Sequence, residues 1–380
     1  MELLQSPIRG YAWGSRTAIA RLQGRPSPAP QPEAELWMGA HPGSPSRLAV
    51  SGVPLTDAIE ADPVRLLGAA SVERFGPRLP FLLKVLAAAA PLSLQAHPDL
   101  EQARAGYAAE EAGGAHLNYN DAWHKPEMLV AVDEFDALCG FRDPAVTASS
   151  LDELGVEGLK ATVEALRQDD VASALRDAVH GLLTIEDPAA LVRDVAAAAG
   201  PGSLAAQLAE AYPGDVGVIV AMLLNRVSLT AGQAVWMPAG NLHAYLRGLG
   251  VEIMAASDNV LRGGLTPKHV DVPELLKVLR FEVLDDPVRQ PEQVAPGIVT
   301  WPVPIDDFAL HRAEVGVGVA AVALPGDGPR IVLCLRGRVR VDDGVSAVEL
   351  RAGEAAFCPA GRGAVAVSGS GEVFQASSHA

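Results

Sequence analysis

Apolar residues along this chain follow two different periods. Up to about residue 149, and again from about residue 229, they come in short runs or alternate with polar residues between glycines and prolines. That pattern predicts strands and turns. LPFLLKVLAAAAPLSLQAHPD holds two such runs split by Pro91, which predicts paired buried strands, and HKPEMLVAVDEFDALCGF predicts another. LEQARAGYAAEEAG reads as a helix ending at glycine, and PELLKVLRF as a short one. Between about 150 and 228 the apolar positions instead recur every three or four residues, in GLKATVEALRQ, DDVASALRDAVHGLL, DPAALVRDVAAAA and GSLAAQLAEAY. This predicts a block of four or five helices interrupting a β region, with a second β region after about residue 290.

One skeleton occurs twice. Gly232 is followed by Pro238, Gly240 and His243; at the same spacing, Gly353 is followed by Pro359, Gly361 and Ala364. Internal repetition of this kind predicts one strand–turn–strand unit used in two similar barrels. An imidazole in the first copy and a methyl group in the second predict that only one barrel holds a metal.

Composition narrows the classes. The 380 residues exceed one small core and suit two or three domains. A net charge of −16 argues against nucleic acid, which requires a basic face. No apolar stretch is long enough to span a membrane, and the first residues lack the basic-then-apolar order of a secretory signal. Cys139, Cys334 and Cys358 are few, odd in number and unpatterned, which fits a reducing cytoplasm. Lysines are scarce, five against 25 arginines, and Lys84, Lys125 and Lys268 fall inside the segments that carry chemistry.

Gln95 and His97 at i and i+2 on a strand would face one side, Glu127 would open another strand, and His243 follows the first glycine–proline turn. Two imidazoles, a carboxylate and a carboxamide oxygen suit Zn²⁺, and less readily Fe²⁺ or Mn²⁺, with room left for substrate. His41, His116, His180, His269, His311 and His379 lack such company and read as structural. An anionic substrate would need cations and hydroxyls, for which Lys84, Ser93, Lys125, Arg262 and Lys268 are available. Glu35 and Glu252 in strand-like runs could accept substrate hydroxyls, and Trp13 and Tyr245 could line a pocket.

QAHPD, WHKPEM, MPAGNLHAYL and VEIMAASDNVLRGGLTPKHVDV resemble signature segments of type I mannose-6-phosphate isomerases, as do YAWG and ELWMGAHP. The likeness runs over nearly the whole chain and is weakest in the helical block and the C-terminal β region. It implies a mainly β fold with an α insertion: two cupin-like (double-stranded β-helix or jelly-roll) barrels plus an inserted helical domain. Residues 1–149 and 229–290 would form the catalytic cupin, 150–228 the insertion, and 291–380 a metal-free cupin-like domain. It implies one Zn²⁺ per chain on Gln95, His97, Glu127 and His243, a catalytic Arg262, and phosphate contacts from Lys84, Ser93 and Lys268.

The expected reaction interconverts mannose 6-phosphate and fructose 6-phosphate through an enediolate, with zinc as Lewis acid and Arg262 offsetting negative charge. Lys125 is favoured as the base; a zinc-bound hydroxide, His124 and Asp258 are alternatives. An isomerase for another sugar, an iron-dependent cupin oxygenase and a non-catalytic sugar-binding bicupin are the rivals. Gln95 and the lysines speak against the oxygenase, and the ligand set with Arg262 against the storage protein. A cytoplasmic monomer or weak homodimer, with a small sugar phosphate as partner, is expected.

Overall fold

Two ten-stranded antiparallel sheets organise the chain, with helices attached to the first. The computed structural model describes residues 1–114, 118–316 and 321–378, so His116 and His379 lie outside the described residues. Among the described residues no helix is long and apolar enough to cross a membrane.

In each sheet one long strand pairs with three others. Strand Glu127–Phe141 pairs with Leu224–Leu229, Ala234–Met237 and His243–Ala255. Strand Arg330–Asp342 pairs with Ala347–Arg351, Ala355–Cys358 and Val365–Ser377 in the same order. The repeated glycine skeleton runs from the turn before Ala234–Met237, or Ala355–Cys358, through that strand and the turn that follows it. Gly232 and Gly353 have φ of 87° and 79°, Gly240 and Gly361 of 79° and 72°, so both copies turn through the left-handed region that glycine enters freely. The difference lies in the first hairpin. A short turn in which Ser346 N–H donates to the Asp343 carboxylate closes it in the second set, whereas helices from Pro144–Asp152 to Ala221–Leu223 intervene in the first.

Strand alternation explains how the layers meet. On one face of the first sheet, Leu36, Met38, Leu83, Val85, Met128, Val130, Val251 and Ile253 are buried. They share a core with Ile331, Leu333, Phe357 and Phe374 of the second sheet, so the sheets pack against each other. Each fully buried side chain of this kind contributes roughly 2 kcal/mol, so the register is strongly set. The opposite face of the first sheet carries Trp37, Lys84, Leu86, Glu127, Leu129, Glu252 and Met254. Strand Phe81–Ala88 is buried along its whole length, and Lys84 is its single charge.

Several expectations change. Strand Leu94–Ala96 does not pair with Phe81–Ala88; it pairs with His243–Ala255 and Leu261–Gly264. The intervening Pro91 turn carries the chain across the site instead of closing a hairpin. His97 lies one residue past that strand rather than on it. Strands Glu2–Gln5 and Arg47–Leu48 belong to the second sheet, where Glu2–Gln5 pairs with Ala355–Cys358. The segment 1–149 is therefore divided between the sheets. Helices begin at Pro144 and strand resumes at Leu224, slightly earlier than the periodicity indicated. Three short helices between Leu55 and Phe75 went unread, being too brief for a period to emerge.

Candidate metal centre and its pocket

Register builds the site. Gln95 is the direct cross-strand partner of His243 on one side and of Arg262 on the other, so all three side chains face one way. Glu127 opens its strand opposite Met254, two residues from Glu252, and Glu252 is opposite Lys84. Lys84 is in turn opposite Trp37. A face that is otherwise apolar thus gathers its polar residues across adjacent strands.

His97, Glu127 and His243 are buried and offer ligand atoms all within 4.8 Å of one another. The protons on the two rings can be assigned from their partners. His97 Nδ1 is 2.7 Å from the Asn259 carbonyl oxygen, and His243 Nδ1 is 3.0 Å from that of Asn241. A carbonyl only accepts, so Nδ1 carries the proton and donates, which leaves each Nε2 with a bare lone pair. Burial, then the Lys125 charge, push the His97 pKa down to about 4, so its ring is neutral. Both Nε2 atoms nevertheless point at a carboxylate, at 3.4 Å and 3.5 Å from Glu127. His97 Nε2, His243 Nε2 and Glu127 Oε2 have no hydrogen-bond partner, although each is buried.

Three acceptors facing one another without a proton between them are costly. A divalent cation resolves the conflict, and the nitrogen and oxygen donors fit zinc. The Nδ1–H···O=C bonds are the outer contacts that orient histidine ligands in such sites. Burial opposes a charge on Glu127, but Lys125, with Nζ 3.0 Å from Oε1, holds its carboxyl well below the usual range.

The centre opens into a cavity of about 660 Å³. Gln95, Lys125 and Glu127 line it, together with Glu35, Lys84 and Glu252. Lys84 Nζ lies 3.0 Å from Glu252 and 3.6 Å from Glu35, and Trp37 Nε1–H donates to Glu35 at 2.7 Å. Burial alone would lower the Lys84 pKa, yet the two carboxylates raise it above its ordinary value. Burial pushes Glu252 up despite Lys84. The Lys84 charge is thus shared by two carboxylates at the deep end. Elsewhere along the wall are Trp13, Ser93, Tyr245 and Asp258, with Arg262 and Lys268. Among the described residues neither Arg262 nor Lys268 has an ion pair, so these two cations remain free for an anion. Burial lowers the Arg262 pKa somewhat.

The family model for the catalytic domain of type I phosphomannose isomerase matches residues 1–144. The mannose-6-phosphate isomerase of Escherichia coli K12 is 37% identical, over 98% of both chains. This chain belongs to the mannose-6-phosphate isomerase family. The human enzyme of that name is 34% identical over 88% of this chain and 87% of its own. An alanine-substituted phosphomannose isomerase from Salmonella typhimurium superposes with a TM-score of 0.92 at 35% identity, over the full length of both chains. A zinc-bound mannose 6-phosphate isomerase superposes at 0.90.

Some site residues escaped the sequence. His41, read as structural, stands behind the pocket: its Nδ1 accepts from Gly43 N–H and its Nε2 is 3.4 Å from Asp258 Oδ1. Asn259 is buried; its Oδ1 accepts from Asn120 N–H, and its Nδ2 donates to the Asp121 and Trp123 carbonyls. It ties the loop leading to Lys125 to the carbonyl that orients His97. Its place in the SDN run was the available signal. Tyr11, Asn120 and Tyr212 also line the cavity. His124, a candidate base, does not line it; its Nε2 is 3.0 Å from Asp307 Oδ1. His180, His269 and His311 do not line it either.

Proposed function

We propose that this protein is a zinc-dependent aldose–ketose isomerase that interconverts mannose 6-phosphate and fructose 6-phosphate through an enediolate. One observation carries the reading: two proton-free imidazole nitrogens and a carboxylate converge at a cavity that also presents two cations lacking ion pairs. Gln95, His97, Glu127 and His243 would hold the ion, which supplies Lewis acidity toward a substrate oxygen. Arg262 offsets the negative charge that develops as the C2 proton leaves. Lys125 takes that proton and returns it at C1. Ser93 and Lys268 receive the phosphate, while Glu35, Glu252, Tyr245 and Trp13 face the sugar. Asp258, held beside His41, would also face the sugar.

The two repeated strand sets are cupin-type barrels on this reading, and the helices between Pro144 and Leu223 are a domain inserted into the first. Residues from about 291 form the metal-free barrel, completed by strands from the N-terminal segment. The three free thiols suit a cytoplasmic enzyme.

A coupled assay with mannose 6-phosphate, before and after chelation, tests the proposal. Turnover is expected to vanish with the metal and return with added Zn²⁺. Activity that survives complete metal removal ends the Lewis-acid reading. A normal rate in Lys125→Met would move the proton carrier to Asp258.

A further inference from the structure

A short stretch of the helical region touches both loops assigned to the phosphate. Tyr212 caps helix Leu204–Ala211, and its hydroxyl donates to the Pro91 carbonyl at 2.6 Å, two residues before Ser93. Burial, then Asp215, raise its pKa, so it remains a phenol that can donate. Asp215 accepts from its own turn, at Gly217 N–H (2.7 Å), and from Thr266 N–H (2.9 Å) in the loop that carries Lys268. Thr266 Oγ1 then accepts from Lys268 N–H at 3.1 Å.

The contact is tight. A Cβ on Gly217 would sit 2.5 Å from Leu265 N and 2.8 Å from Gly264 C, so the two backbones meet with no side chain between them. Leu265, buried at that point, has φ of 54°, a conformation that residues other than glycine adopt rarely and at a cost. Surrounding contacts must hold it there, and the carboxylate of Asp215 bonds the very next N–H. Tyr212, Leu265, Thr266 and Lys268 all line the cavity, as does Ser93.

We propose that Tyr212–Gly217 is a clasp that sets the separation of the Ser93 and Lys268 walls, making the helical region a specificity element for the phosphorylated sugar. This rests on the assignment of Ser93 and Lys268 to the phosphate. Tyr212 and Asp215 are positioning residues: they act through the loops they hold. Preorganised walls bind the phosphate without first ordering a loop, so loosening them raises KM more than it lowers kcat.

Steady-state kinetics on Tyr212→Phe, Asp215→Asn and Asp215→Ala, with inorganic phosphate as a competitive inhibitor, test the clasp. In Asp215→Ala, KM for mannose 6-phosphate and the phosphate inhibition constant should both rise about tenfold, with kcat within about twofold and zinc content unchanged. Asp215→Asn keeps one acceptor for two N–H groups and should fall between. Tyr212→Phe, which removes one oxygen and leaves the ring packed, serves if Asp215→Ala does not fold. Unchanged KM and inhibition constant in Tyr212→Phe and Asp215→Asn, alongside a rise in Lys268→Ala, would overturn the clasp. Lost kcat at constant KM would overturn it too. No rise in Lys268→Ala would instead overturn the phosphate assignment beneath it.

Discussion

The two sheets carry the same four-strand set, yet they solve one electrostatic problem in opposite ways. Glu127 and Arg330 are equivalent: each opens its long strand and pairs with the residue just before the proline of the repeated skeleton, Met237 in one case and Cys358 in the other. In the first sheet a carboxylate and two neutral imidazole nitrogens turn unpartnered lone pairs toward one another, a conflict that a bound cation resolves. In the second the cation is covalent. Arg330 is fully buried, its Nη1 donates to the Gly326 and Gly363 carbonyls, and its Nη2 reaches Cys358 Sγ. At the spacing of the repeated skeleton, Ala364 falls where the first copy has His243. One set is left needing an ion and the other supplies its own, which teaches that a shared strand plan says nothing about metal binding until those two positions are read.

Breaking the first centre should have the largest effect. His243→Ala removes a ligand from a buried acceptor cluster and should lower kcat/KM at least about a thousandfold with loss of bound zinc. Assay and metal analysis on the same preparation check it, and retained stoichiometric zinc would contradict the assignment. The converse change, Arg330→Met, should leave zinc affinity intact. It removes the hydrogen bonds that the buried guanidinium donates to the Gly326 and Gly363 carbonyls, so unfolding in urea should show a loss of about 2–3 kcal/mol.

A smaller effect concerns acid. Burial opposes a charge on Asp343, but the N–H groups of Ser346 and Val345 and the Met1 amine outweigh it and hold its carboxyl below the usual range. A depressed folded pKa gives stability that is present above the unfolded value of about 4 and is lost as pH falls through the folded one. Stability measured from pH 5 downward should therefore decline below about pH 4, and Asp343→Asn should flatten that decline. The smallest expected effect is none at all: Ala364→His should bind no second zinc, because Arg330 still occupies the place of the carboxylate. Two zinc ions per chain in that variant would refute the comparison.

Much of the site was legible in the chain because its residues sit near strand ends marked by proline and glycine: Gln95 and His97 before Pro98, Glu127 after Pro126, His243 after Gly240. Such local punctuation survives in one dimension. His41 was not legible, because its partner Asp258 is distant in sequence and neither residue has a local pattern. Asn259 orients His97 through its backbone carbonyl, which every residue possesses, so its place in the SDN run marked the residue without revealing that role. The boundaries failed for a related reason, since strand Glu2–Gln5 looks the same whichever sheet accepts it.

By itself, then, the chain determined most of the element types, the duplicated turn and the convergence of His97, Glu127 and His243, each of which depends on residue identity and short spacing. Only the tertiary structure decided which strands pair, which tautomer each histidine ligand adopts, and how residues 212–217 grip two loops at once. Those outcomes depend on partners far apart in sequence, and their hydrogen bonds exist only after the sheets have closed.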